Sequence, residues 1–276
     1  MKPLWTPSPS RIQQSNFQKY FHFLKETYHL SFSDYAALYA WSVRDIPRFW
    51  ESVWRFCQIQ ASPYEEIMGP VRMPGTQWFK GSRLSFAQHL LRYRDDREAL
   101  VGIGENKKSL RLTYRQLYQE VARFACGLKE AGVQPGDRVA AFVPNIPQAV
   151  IAMLAANSVG AVWSSCSPDF GIQGVLDRFG QITPKILITA NGYAYHGKPF
   201  DCLEKVTGII RSLPSVEKVV VIPYESSPLD ISSIPSAVWW DDFCSQGTPE
   251  IAFEQLPFDH PLYILYSSGT TGVPKC

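Results

Sequence analysis

A short run close to residue 276 has the composition of a phosphate cradle: Ser267-Ser268-Gly269-Thr270-Thr271-Gly272-Val273-Pro274-Lys275. Gly269 and Gly272 allow the backbone to turn through positive φ and bring main-chain N–H groups close to an anion. Ser267, Ser268, Thr270 and Thr271 add hydroxyls that can rotate toward phosphate oxygens, and Lys275 adds a point charge. The run differs from the P-loop, in which G-x-x-x-x-G-K-[ST] opens a helix. Here the lysine comes three residues after the second glycine and stands behind Pro274. A plain glycine-rich hairpin has no need of four hydroxyls and a lysine, so a phosphate site is expected.

Other reactive residue types lack supporting partners. Asp169 in "SPDFG" sits where a helix should begin, so a turn and helix-cap role is expected for it. Asp241 and Asp242 follow Trp239 and Trp240 without the spacing of a metal site, and a solvated turn is expected. Cys57, Cys126, Cys166, Cys202, Cys244 and Cys276 form no CxxC and no cysteine–histidine cluster. Free thiols in a reducing cytosol are the expectation, with no metal ligands.

The elements that must position the loop are those of an α/β protein. "LYILYSS" reads as the strand that feeds it. From residue 86 onward strands and helices alternate. "EALVGIGENKKSLRLTY" reads as two strands around a polar turn. Thr113 and Gln116 form a capping box for a helix that carries Leu117, Val121, Phe124, Ala125 and Leu128 on one face. The strand "RVAAFV" follows. A helix from Pro147 then leads to "AVWSS", a helix over 171–180 to "KILITA", and a helix over 201–212 to "VEKVVVIP". Such near-continuous apolar strands predict a parallel sheet with helices on both faces.

Residues 15–57 read as helical, with Ser33 or Asp34 capping one helix and Asp45-Ile46-Pro47 opening the next. In the latter, Phe49, Trp50, Val53, Trp54 and Cys57 are predicted to form the packing face. Residues 60–85 have no period and read as an ordered crossing segment. The division expected is therefore a helical segment over 1–85 and an α/β domain over 86–276.

Composition fits a globular chain: 45% hydrophobic residues, 19% charged and a net charge of +2. That balance gives no reason to expect nucleic acid or an anionic membrane as partner. The longest apolar stretch, from Ala149, is too short to span a bilayer and is interrupted by Asn157 and Ser158.

"YSSGTTGVPK" resembles the signature loop of the adenylate-forming enzymes, [ST]-[SG]-G-[ST]-T-G-x-P-K, at every position. The resemblance implies that Ser267 to Lys275 grip the β- and γ-phosphates of ATP, with Mg²⁺, while a carboxylate attacks the α-phosphate. An acyl-adenylate and pyrophosphate result, and the thiol of coenzyme A then takes the acyl group. "DYAALYAWSVRDIPRFW" is similar to the segment that precedes the adenylation fold in acetyl-CoA-synthetase-like enzymes. "GPVRMPGTQWFKGSRLSFAQHLL", "WSSCSPDFG" and "NGYAYHGKPFD" resemble the branch of the family that joins acetoacetate to coenzyme A for lipid synthesis. In the family an "RGG[RK]" element helps bind the nucleotide of coenzyme A. Its counterpart here is Tyr195-His196-Gly197-Lys198, with Tyr195 in place of the first arginine. Either a coenzyme A contact or a plain surface turn fits that stretch, and His196 reads as solvated.

The resemblance also implies that the acid pocket and the catalytic residues lie beyond the loop. The chain is therefore expected to be the truncated N-terminal part of a longer cytosolic enzyme, inactive on its own. Two alternatives accompany that expectation. One is a related ligase for acetate, propionate or butyrate, and the other a non-catalytic product that acts only by binding.

Overall fold

The computed structural model describes residues 4–105, 109–226, 230–247, 250–267, 272 and 274–276. They form two compact units, Met1–Ser82 and Arg83–Cys276.

The first unit holds α1 (Pro9–Gln13), α2 (Asn16–Tyr28), α3 (Tyr35–Arg44) and α4 (Ile46–Phe56), followed by the antiparallel pair β1 (Glu66–Met68) and β2 (Trp78–Lys80). Asp34 caps α3 by accepting from the Ala37 N–H, and Asp45 caps α4 through the Arg48 N–H, as their sequence positions predict. The packing face of α4 differs from the expected one. Phe49, Val53 and Phe56 pack against Tyr20, Leu24, Leu38 and Trp41, with Ser52 fully buried among them. The Ser52 hydroxyl is satisfied by Tyr20 Oη at 2.5 Å. Trp54 turns instead to the β1–β2 side and stacks on Phe79 at 4.1 Å, while Trp50 and Cys57 are exposed. Two half-faces replace the single predicted one because α4 is covered from two directions.

The second unit begins with β3 (Arg83–Leu84) and α5 (Phe86–Leu90), then the hairpin β4 (Glu98–Ile103) and β5 (Ser109–Thr113). The predicted capping box is present at the start of α6 (Tyr114–Glu130): Thr113 and Gln116 exchange side-chain and backbone hydrogen bonds. There follow β6 (Arg138–Phe142), α7 (Pro147–Ser158), β7 (Val162–Cys166), α8 (Ile172–Ile182), β8 (Ile186–Ala190) and the hairpin β9 (Gly192–Tyr195) and β10 (Lys198–Asp201). The unit continues with α9 (Leu203–Arg211), β11 (Lys218–Ile222), β12 (Ala237–Trp239), α10 (Trp240–Phe243) and β13 (Leu256–Pro257), which pairs with β3.

Five strands make one parallel sheet in the order β12-β11-β8-β6-β7. Alternate residues serve opposite faces. Val139, Ala141, Ile186, Ile188, Val220 and Ile222 meet α6 and α7, whereas Ala140, Phe142, Leu187, Val219 and Val221 meet α8 and α9. The chain lays β6 down first, places β7 on one side, then crosses back to add β8 on the other. That reversal is the switch point at whose carboxyl edge ligands bind in open α/β sheets.

Three expectations are corrected. Asp169 lies in a turn but caps nothing; α8 begins at Ile172 behind Gly171, an N-cap with no side chain to offer. Asp241 and Asp242 stand in the first turn of α10, exposed, where carboxylates suit the helix dipole, rather than in a plain turn. Finally, residues 60–85 include the β1–β2 pair, which their prolines and glycines concealed.

Candidate functional site

The candidate phosphate loop is carried by residues 262–266, which run along the free side of β7 as a partial sixth strand. The Trp163 N–H donates to the Leu262 carbonyl at 2.9 Å, and the Ile264 N–H donates to the Trp163 carbonyl at 2.8 Å. Asn157 Nδ2 reaches the Leu262 carbonyl at 3.2 Å, and Ser164 Oγ reaches that of Ile264 at 3.0 Å. The predicted strand is thus reduced to one bridge supplemented by side chains. Because it lies parallel to β7, the loop emerges at the carboxyl edge of the sheet.

Ser267 and Lys275 close the base of the loop. The Ser267 N–H donates to the Lys275 carbonyl at 3.0 Å, the Lys275 N–H returns a bond at 3.4 Å, and Ser267 Oγ adds a third at 3.3 Å. Gly272 takes φ 144°, a backbone state suited to glycine. Ser267, Gly272 and Lys275 are exposed. Ser268, Gly269, Thr270 and Thr271 lie outside the described residues.

Both arms of the loop are tied to α8. On the entering arm, Tyr266 Oη donates to the Arg178 carbonyl at 3.0 Å. Burial pushes the Tyr266 phenol up from its ordinary pKa, against a hydrogen bond from Ser164 and the nearby Arg178 charge. On the leaving arm, Gln181 Nε2 donates to the Pro274 carbonyl at 2.7 Å. Arg178 lies with its guanidinium 4.2 Å from the Phe170 ring centroid and 5.9 Å from that of Tyr266. None of these α8 residues is legible as a site residue, because no local pattern joins Gln181 to a loop that is distant in sequence.

Tyr195, His196, Gly197 and Lys198 form the turn of the β9–β10 hairpin. Tyr195 and Lys198 pair across it, and His196 (φ 50°) and Gly197 (φ 72°) make the two-residue connection. All four are exposed. The Gly197 N–H, which a phosphate could use, donates to the Glu105 carboxylate at 3.2 Å. The hairpin follows directly on β8, so this turn also belongs to the carboxyl edge of the sheet. The two predicted sites therefore share an edge but stand on different elements.

A concavity of about 590 Å³ opens between the β4–β5 hairpin, the start of α7 and the end of β11, above Ile146, Ile151 and Trp240. Among the described residues its lining holds Glu120 and Asp241 and no lysine or arginine, the wrong sign for polyphosphate. Among the described residues, no group of three or more His, Cys, Asp or Glu side chains converges to hold a metal ion. No described helix is long and apolar enough to cross a membrane.

Residues 86–276 match the family model of the AMP-binding enzymes, and residues 35–90 match that of the acetyl-coenzyme A synthetase N-terminus. An acetoacetyl-CoA synthetase of Danio rerio is 44% identical over 287 residues, covering all of this chain and 42% of that protein. A malonamoyl-CoA synthetase of Penicillium aethiopicum is 38% identical over 92% of this chain and 37% of its own. The solved acetoacetyl-CoA synthetase from Streptomyces lividans superposes with a TM-score of 0.93 at 40% identity, over 99% of this chain and 42% of that one. The chain spans about two-fifths of the length of the relatives it matches. With the matching model extending over the whole α/β unit and its terminal loop, the chain belongs to the AMP-binding enzyme family.

Proposed function

We propose that this chain supplies the ATP-phosphate grip and part of the coenzyme A surface of an AMP-forming acetoacetate–CoA ligase. The observation that carries the reading is the Ser267–Lys275 loop, complete in sequence and held at the carboxyl edge of the sheet. Ser267, its hydroxyl turned from the Lys275 carbonyl to the nucleotide, donates with Ser268, Thr270 and Thr271 to the β- and γ-phosphates, Gly269 and Gly272 let the backbone approach, and Lys275 offsets negative charge. The acetoacetate carboxylate attacks the α-phosphorus, the α–β anhydride bond breaks, and pyrophosphate leaves. The sulfur of coenzyme A then attacks the acyl carbon, AMP leaves, and the thiol proton goes to solvent. Magnesium accompanies the triphosphate as part of the substrate, keeping phosphate and water ligands. The Tyr195–Lys198 turn meets the coenzyme A nucleotide, Lys198 by charge and Tyr195 by stacking. Residues 1–85 form the helical segment that precedes the adenylation domain, and the enzyme works in the cytosol.

The choice of acid follows from similarity. Acetoacetate and malonamate, the acids named by the relatives' products, share a carbonyl two carbons from the carboxylate. A short 3-oxo acid is therefore the substrate class, ahead of acetate, propionate or butyrate. The test is acid-dependent ATP–pyrophosphate exchange by the complete natural gene product, with these acids in competition. Exchange should be fastest with acetoacetate and should fall at least tenfold in Lys275→Met. Faster turnover of acetate or butyrate would overturn the acid assignment. An unchanged KM for ATP in Lys275→Met would overturn the loop assignment.

A further inference from the structure

We infer that Gln181 is a positioning residue for ATP: with Tyr266 it locks both arms of the phosphate loop onto α8 and so sets the loop's register on the triphosphate. The inference rests on the proposed role of that loop.

A loop that holds a polyphosphate through hydroxyls and a terminal lysine must present them at fixed spacing. Otherwise the cost of ordering the loop is charged against substrate binding. The backbone bridge between Ser267 and Lys275 fixes the separation of the two arms. It does not fix their tilt, because a single bridge on an exposed pair can hinge. The tilt is set by two bonds to one helix. Tyr266 Oη binds the Arg178 carbonyl at 3.0 Å, and Gln181 Nε2 binds the Pro274 carbonyl at 2.7 Å. Residues 178 and 181 are one helical turn apart, so the anchors lie on one face of α8. Pro274 stands directly before Lys275, and the bond to its carbonyl therefore controls where that lysine leaves the backbone.

The helix is itself a firm base. Val175, Phe179 and Ile182 are buried against the sheet. Arg178 Nη1 donates to the Gly174 carbonyl at 2.7 Å while its plane covers Phe170. Gln181, by contrast, is exposed and contributes nothing to the core. An exposed glutamine that spends its amide on a loop carbonyl is free to be replaced without unfolding the domain.

The test uses the complete natural gene product with Gln181→Met, which keeps length and removes the donor, and Tyr266→Phe. Three quantities are read: KM for ATP in pyrophosphate exchange, the rate of acyl transfer from preformed acyl-adenylate to coenzyme A, and the melting temperature. Gln181→Met loses the bond to the Pro274 carbonyl together with the Nε2 bond to the Asp177 carbonyl and the Cys276 Sγ bond to Oε1, and it should raise KM for ATP about three- to tenfold. Acyl transfer from the adenylate should be unchanged, because that step involves no β- or γ-phosphate. The double variant should be less than additive, since either change alone releases the same loop. An unchanged KM for ATP, or a parallel loss of both half-reactions with melting temperature, overturns the inference. If Lys275→Met raises KM for ATP and Gln181→Met does not, the positioning role fails alone. If neither does, the loop's phosphate role has failed first.

Discussion

Gly127 in α6 and Phe243 in α10 meet so closely that a Cβ added to Gly127 would collide with the Phe243 carbonyl oxygen and stand 3.0 Å from its ring. The same contact seats Phe243 beside Phe124, whose ring also stacks on Trp240 at 4.2 Å. The absence of a side chain at 127 is therefore what lets the end of the sheet close over α6.

Gly127→Ala sets two effects against each other. Alanine gains about 1 kcal/mol in helix propensity. It also forces the α10 backbone away, and overpacking of this kind costs about 1–3 kcal/mol, more where the obstacle is backbone. The clash should win, lowering the urea midpoint. Gly180→Ala in α8 provides the opposite sign, because an added Cβ there meets nothing within 4 Å. That variant should gain about 0.5–1 kcal/mol. Equal shifts in the two would contradict the packing described.

Arg138 closes the carboxyl end of α8. Its guanidinium donates to the carbonyls of Gly136 at 3.0 Å, Ile182 at 2.7 Å and Thr183 at 2.9 Å, and also to Thr183 Oγ1. Thr183 is left-handed (φ 46°), a state in which a β-branched residue is strained, and the fork holds it there. Arg138→Met should cost about 2 kcal/mol in urea unfolding. Arg138→Lys should recover less than half of that, since an ammonium cannot reproduce the planar fork.

The thiols of Cys166, Cys202 and Cys244 are each pushed up to about 12, chiefly by burial. A thiol that ionises near 9 in the unfolded chain and near 12 in the folded one adds stability that is complete below pH 9. That stability is lost as pH rises from 9 to 12, because the unfolded state releases protons the native state keeps. The urea midpoint should therefore decline above pH 9. At pH 8 an alkylating reagent should modify exposed Cys57 and Cys276 well before these three. Rapid labelling of Cys202 in native protein would refute this ordering.

The sequence carried the sheet and the loop because both are written locally. Continuous apolar strands separated by capped helices admit few arrangements, and the loop's glycines, hydroxyls and lysine lie side by side. What stayed hidden depends on distant partners. Ser52 looks polar and exposed until Tyr20 is brought to its hydroxyl. Gln181 is an ordinary helix-surface residue until Pro274 arrives. The Gly197 amide looks available until the β4–β5 hairpin delivers Glu105. Asp169 fits a cap on spacing alone, but the helix starts three residues later, at Ile172, with Gly171 as its cap.

The strand order has a consequence for how the protein is made. Most parallel partners in the sheet follow one another in the chain, β7 after β6 across α7, β11 after β8 across α9 and β12 after β11, while β8 returns to β6 past β7. All five strands precede residue 262 in the chain, so the platform is synthesised before the edge segment that docks on it. The edge segment and its loop arrive afterwards and dock on a finished surface, where Trp163, Ser164 and α8 already present their bonding groups.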